Sequence, residues 1–399
     1  MRILTTRDNI LHSLLLCYVI AVVFVLFFRA EHHFWDFSVY YYSGACVEQS
    51  VTPYNGTTIS QISGGKTDLP FVYPPLTLHA FSFLRIWDYS MSASVYFVIK
   101  IFALCCLIVL WKRHFINSGG FLFSLSLVFA FHSPFYIDMR SGNITVFVQL
   151  LLWLSFWAFM RRQYGLFCIL LFCASVWKIT PLFFLILLAM AETRKKYIYM
   201  ALTVFAYIGY GVANRFLEPQ LWHEWIAGAL STINESGITN PSVFSFCHFI
   251  MERFHFIGNS MPVQQSTMIL WGIIVIVSSV YTFRALRHLH RADHPLFEHR
   301  LMITLSLLCF MYSFFTPRFK DYDYALLIVP AYYVIERLFP QKKTTYTLAL
   351  CITPVFSSTL LGTRFTDTVI TMYYPLFCAV ILWYAAVYSV RKKRGIETS

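Results

Sequence analysis

The chain has 399 residues, of which 58% are hydrophobic, 19% aromatic and only 13% charged. Soluble domains average about 45–50% apolar and about 25% charged residues, so this chain carries too little polar side chain to cover two or three globular domains. Disordered, collagen-like and heptad-repeat chains are excluded as well, which leaves a polytopic, all-α transmembrane protein whose net charge of +12 must be explained by where the basic residues lie.

About 20 apolar residues are needed to cross about 30 Å of hydrocarbon. In chain order, spans are predicted near 10–30, 91–111, 119–137, 143–160, 196–216, 266–284, 300–316, 323–338, 345–361 and 369–390. The first is too long for a cleaved signal peptide, and no small-residue cleavage site follows it. The stretch 164–191 is apolar but interrupted by Lys178 and Pro181, and flanked by Arg161-Arg162 and Arg194-Lys195-Lys196. The positive-inside rule asks for both basic clusters on one side. That predicts a hairpin of two short helices, about 165–177 and 180–191, with Lys178-Ile179-Thr180 at its far tip.

With this hairpin the chain forms a single integral membrane domain over 1–399, with about 12 membrane helices and both termini cytoplasmic. Twenty of the 31 basic residues then face the cytoplasm with six acids, an excess of +14 against −2 outside. The basic excess reports orientation, and no nucleic acid is needed to explain it. The extramembrane mass lies in two extracytoplasmic loops, 31–90 and 217–265, with interfacial helices expected near 76–87 and 243–257. Eight of the ten cysteines fall in spans; Cys46 and Cys247 lie outside and are the one pair open to a disulfide. No cysteine or histidine spacing fits zinc.

Polar residues able to do chemistry gather near the outer boundary. Asp36 follows the first span among aromatics, in Phe34-Trp35-Asp36-Phe37-Ser38-Val39-Tyr40-Tyr41-Tyr42, and is a candidate general base or else a solvated acid in an aromatic belt. Lys178 interrupts an apolar hairpin; it either meets an anion or snorkels to headgroups. Arg318 and Lys320 follow Pro317 and sit beside Asp321 and Asp323, so a local ion-pair cluster competes with anion binding. Asp138 and Arg140 precede Asn143 and could pair with each other or hold hydroxyls. His248, Glu252, Arg253 and His255 have helical spacing, which favours a solvated face. His32 and His33 could tune Asp36. Trp35, Tyr40, Tyr41, Tyr73, Trp222 and Trp225 offer rings to a sugar, although interface anchoring explains any one of them.

Taken together, Asp36-x-x-Val39-Tyr40-Tyr41, Pro53-Tyr54 and Tyr73-Pro74-Pro75 resemble the start of the polyprenol-phosphate-mannose-dependent mannosyltransferases, glycosyltransferase family 87 of the GT-C superfamily. Ser141-Gly142-Asn143 looks like that family's Gly-Gln-x-Asn without the Gln. Lys178-Ile179-Thr180-Pro181 looks like its Lys-x-x-Pro, and Asn240-Pro241-Ser242 resembles its Asn-Gln-Ser. Pro317-Arg318-Phe319-Lys320 resembles a late Ser-Pro-Arg-like element. The resemblance implies an inverting transfer of a sugar, mannose first, from a polyprenyl phosphate to a lipid-linked or glycan acceptor at the outer face. It places the general base on Asp36. Donor phosphate would be held by Lys178, Arg318 and Lys320, and substrate touched by Tyr40, Tyr41, Tyr73, Arg140, Asn143, His248 and Glu252. No cofactor and no obligatory metal are expected, and a bacterial cytoplasmic membrane is the expected location. A transporter or lipid flippase would show functional charges deep in several spans and paired broken helices. A polysaccharide polymerase or ligase is the alternative among enzymes.

Overall fold

The computed structural model describes residues 6–28, 34–116, 120–231, 237, 239–255, 262–291, 296–351 and 369–392. Among these residues there is no strand: the fold is polytopic and all-helical. Helices suit these apolar runs because hydrocarbon offers no partner for a free backbone N–H or C=O. Four helices are long and apolar enough to cross a membrane alone: Asn9–Phe28, Tyr89–His114, Val263–Leu289 and Val369–Lys392. Phe121–His132 with Pro134–Ser141 passes the same test only as one bent span. The other expected crossings are realised largely as shorter pieces, such as Thr145–Met160, Tyr164–Trp177 and Arg300–Phe315.

The span expected over 119–137 is bent by 63° between Phe121–His132 and Pro134–Ser141. Phe131, His132 and Ser133 all have positive φ, of 50°, 65° and 58°. Each left-handed residue costs about 1–2 kcal/mol, and Pro134, with its fixed φ, restarts the chain as a new helix. The span expected over 345–361 runs beyond Cys351 into residues outside those described.

The chain divides into two compact units, one of Met1–Leu15, Phe115–Phe135 and Asn234–Ser399, the other of Leu16–His114 and Tyr136–Ile233. The second unit contains the hairpin. Tyr164 lies against Tyr199, and Cys168 meets the Tyr199 carbonyl. Further along, Phe172 packs on Tyr210, whose hydroxyl donates to the Val176 carbonyl. Contacting residue numbers rise together, so the Tyr164–Trp177 and Lys196–Leu217 helices run in the same direction. The intervening residues 178–195 must therefore travel back. Arg162 and Glu192, 3.5 Å apart, close the base of the hairpin. The basic clusters 161–162 and 194–196 thus share one end, with Lys178 at the other.

Loop residues 34–90 fold onto the Lys178 end of these helices as an aromatic lobe. Val39, Tyr40, Phe71, Tyr73, Leu78 and Phe81 are buried together with Ile144, Val148 and Ala174. Two hydrogen bonds tether the lobe: the Leu76 amide donates to Asn214 Oδ1 at 2.9 Å, and Trp225 Nε1 donates to the Val72 carbonyl at 3.1 Å. In the first unit, Trp271 Nε1 donates to the Phe314 carbonyl and Trp383 Nε1 to Thr282 Oγ1, fastening the three helices Val263–Leu289, Arg300–Phe315 and Val369–Lys392.

Candidate active site

Asp36 sits in the first turn of the Trp35–Glu48 helix, where a carboxylate complements the helix dipole. Its neighbours Phe34 and Phe37 are buried against Phe97 and Tyr96 and fix the helix start. Asp36 itself remains partly exposed. The turn that faces it is built by Ser141-Gly142-Asn143. Gly142 has φ +72°, and a Cβ there would lie 2.7 Å from Phe37 Cβ. Only glycine lets this turn come so close to the base of the Asp36 helix.

The close approach delivers Asn143 to Asp36. Asn143 Nδ2 donates to Asp36 Oδ2 at 2.9 Å. Asn143 Oδ1 accepts from the Thr145 amide at 3.0 Å and from Thr145 Oγ1 at 2.8 Å. Thr145 Oγ1 in turn accepts from Lys178 Nζ at 3.3 Å. A directed chain therefore runs Lys178 to Thr145 to Asn143 to Asp36, from a cation to a carboxylate. The Asn143 amide is oriented by these partners: its nitrogen donates to Asp36 and its oxygen accepts from Thr145. The bond from Asn143 uses Oδ2 of Asp36 and not Oδ1. The Trp35 ring, 38% exposed, stands next to Asp36 with the Arg140 guanidinium 5.7 Å from its centre.

One participant escaped the sequence reading. Lys100, from the middle of the Tyr89–His114 helix, is fully buried and ion-paired with Asp138 at 2.9 Å. It also donates to the Asp138 carbonyl at 2.7 Å and the Asn143 carbonyl at 2.6 Å. Its only sequence signal is a charge at the centre of an apolar run. The expected alternative of Asp138 pairing with Arg140 is corrected: Asp138 turns inward to Lys100, and Arg140 turns outward over Trp35.

Asp36, Asn143 and Lys178 are thus brought together, with Arg140 beside them. Tyr40 and Tyr73 lie inside the aromatic lobe. Their hydroxyls are 3.1 Å apart and the Tyr40 ring stacks on Phe81 at 4.4 Å, so their faces are covered by protein. Burial, with Tyr73 and Asp36 nearby, pushes the Tyr40 phenol well above its usual range and keeps it a neutral donor. Tyr41 is half-exposed, with its hydroxyl on the Trp87 carbonyl and Arg85 over its ring. His32 and His33 lie outside the described residues. Asn143 also begins an Asn-Ile-Thr glycosylation pattern, but it is 3% exposed and its side chain is engaged.

Trp222 and Trp225 belong to the second unit, and Arg318, Lys320, His248 and Glu252 to the first. There Ser242 Oγ donates to the Pro317 carbonyl and the Tyr324 hydroxyl to the Pro241 carbonyl, both at 2.6 Å. This joins Asn240-Pro241-Ser242 to the element carrying Arg318 and Lys320. Asp321 and Asp323 accept from the backbone amides of Tyr322 and Lys320 at a helix start. His248 and Glu252 pair at 3.2 Å along one helix, with Glu252 exposed. Cys46 and Cys247 are free thiols. Among the described residues no three His, Cys, Asp or Glu side chains gather as a metal site.

A polytopic helical chain with four helices long and apolar enough to cross a membrane is an integral membrane protein, and this one links a carboxylate, an amide and a cation at one end of its helices. The model of glycosyltransferase family 87 matches residues 71–311, more than half of the chain, and the chain belongs to that family. It is accordingly a membrane glycosyltransferase. The match includes Asn143 and Lys178 and stops short of Asp36. Against individual curated proteins the chain has no match.

Proposed function

We propose that the protein transfers mannose from a polyprenyl phosphate to a lipid-linked or glycan acceptor at the extracytoplasmic face, with inversion, and that Asp36 is the general base. The observation that carries this reading is the chain from Lys178 to Asp36. It presents a carboxylate oxygen and an ammonium, held by one rigid turn, to the same end of the helices.

In the proposed reaction an acceptor hydroxyl oxygen attacks the anomeric carbon. Asp36 Oδ1 takes its proton while Asn143 holds Oδ2 in place. The bond from the anomeric carbon to the phosphate oxygen breaks, and the electron pair leaves with the polyprenyl phosphate. Lys178 meets the charge that grows on that phosphate. Trp35 and Arg140 are proposed as the wall for a sugar. Tyr40 and Tyr73 serve as the scaffold behind Asp36. A phosphate is a stable leaving group, so one base and several cations suffice.

Purified protein given polyprenyl-phosphate mannose and a glycan acceptor should release polyprenyl phosphate and form a product of inverted anomeric configuration. Turnover only with other polyprenyl-phosphate sugars would remove mannose. No turnover with any of them, or retained configuration, would remove the mechanism.

A further inference from the structure

We infer that Lys100 is a positioning residue: its buried ammonium holds the 138–143 turn so that Asn143 meets Asp36. The inference deepens the proposed reading of the site and rests on it for the meaning of Asp36, but its core claim concerns Lys100 and Asn143.

Lys100 donates to the Asp138 carbonyl at 2.7 Å and the Asn143 carbonyl at 2.6 Å, and its charge is balanced by Asp138 Oδ2 at 2.9 Å. The two carbonyls are the ends of the turn. The same Asp138 carbonyl accepts the Gly142 amide at 3.1 Å, the Asn143 amide at 3.3 Å and Ser141 Oγ at 3.1 Å. The Asn143 amide also bonds Ser141 Oγ at 3.1 Å. Lys100 therefore clamps the main chain of the residue whose side chain grips Asp36.

A buried ion pair is poor evidence of stabilisation, because apolar residues of the same size commonly do as well. Packing alone would be served by Leu at both positions. What an apolar pair lacks is a donor to the two carbonyls. The pair is best explained by the geometry it imposes two residues before the helix Thr145–Met160 begins. Asp138 supplies the charge that allows an ammonium to sit there. Lys100 touches no substrate in this account.

The test needs a variant that leaves no lone buried carboxylate, so Lys100→Met is combined with Asp138→Asn. Hydrogen exchange is measured first, without substrate. Amides of 141–145 should lose at least about tenfold in protection, while the Tyr164–Trp177 helix keeps its own. Unchanged protection at 141–145 overturns the inference, and so does loss throughout the unit, because both deny a local clamp. Turnover with polyprenyl-phosphate mannose is measured second. The pair variant should lower kcat about 10- to 100-fold, with the donor KM within about threefold, as expected for misplaced rather than missing contacts. The cycle is then closed with Asn143→Ala. If Lys100 works through Asn143, adding the pair substitutions to Asn143→Ala should cost less than about threefold more. A second full loss in that background would show an independent structural role and overturn the inference. Asp36→Asn is assayed in the same series. An active Asp36→Asn removes the base reading alone, whereas additivity of the cycle removes the Lys100 inference alone.

Discussion

Gly142→Ala puts the narrowest contact of the site under load. The new methyl would lie 2.7 Å from Phe37 Cβ and 3.3 Å from both Phe34 Cγ and the Phe37 amide nitrogen. Phe37 is fully buried among Phe34, Tyr96 and Tyr89 and has no room to withdraw. The backbone at φ +72° adds about 1–2 kcal/mol for a residue with a Cβ. Overpacking against a filled core adds about 1–3 kcal/mol, for a total of about 2–5 kcal/mol. The alternative to that loss is a shift of the turn by roughly 1 Å, which would stretch the 2.9 Å bond from Asn143 to Asp36 past hydrogen-bond range. Either stability or turnover must fall, the latter by about 100-fold for a shift of that size. Thermal unfolding in detergent and turnover are measured together. Gly165→Ala is the control, because its new methyl meets only Tyr199 Cε1 at 3.8 Å within a helix, and should be neutral or stabilising by about 0.5–1 kcal/mol. A Gly142→Ala protein with wild-type unfolding temperature and turnover would refute the close-approach argument.

Asn214→Ala should leave the Leu76 amide without its acceptor and destabilise the loop lobe by about 1–3 kcal/mol, read as a lower unfolding temperature with little change in donor affinity. Lys178→Met should weaken binding of polyprenyl-phosphate mannose about 10- to 100-fold, the value of a charge-assisted bond; equilibrium binding checks it, and unchanged affinity returns Lys178 to headgroup anchoring. Burial pushes the Cys46 thiol up to about 11, with Arg85 opposing, so the folded protein holds that proton more tightly than the unfolded chain. Alkylation of Cys46 at pH 8 should therefore need unfolding, and the contribution of this group to stability should decline as pH rises from about 9 through about 11. Mass mapping of alkylated peptides in folded and unfolded protein reads the first effect directly.

The parts of this site that can be read in the sequence are those where a polar residue contradicts its surroundings. Lys178 breaks an apolar hairpin between two basic clusters, and the parallel course of the Tyr164–Trp177 and Lys196–Leu217 helices bears the hairpin out. Asp36, Asn143 and Lys178 could be named because each stands near a predicted helix end. Lys100 could not be understood alone. Its partners come from residues 38 and 43 positions later, and only the fold shows that a mid-span charge is satisfied there. Tyr40 and Tyr73 adjoin motif residues, and only the fold shows that their rings fill the lobe behind Asp36. The break at 131–133 carried one signal, Pro134, which a hydropathy window averages away. The division into two units has none, since each is assembled from separated segments of equally apolar sequence.

The proposed transfer depends on the carboxylate of Asp36. Asp36→Asn keeps the size of the side chain and can still accept from Asn143 through its carbonyl oxygen, so the fold should survive. Turnover of polyprenyl-phosphate mannose by the purified variant is the direct test. A loss of about 10²- to 10⁴-fold in kcat with donor binding intact is the predicted result for removal of a general base. A folded Asp36→Asn protein that turns over within a few fold of wild type would contradict it.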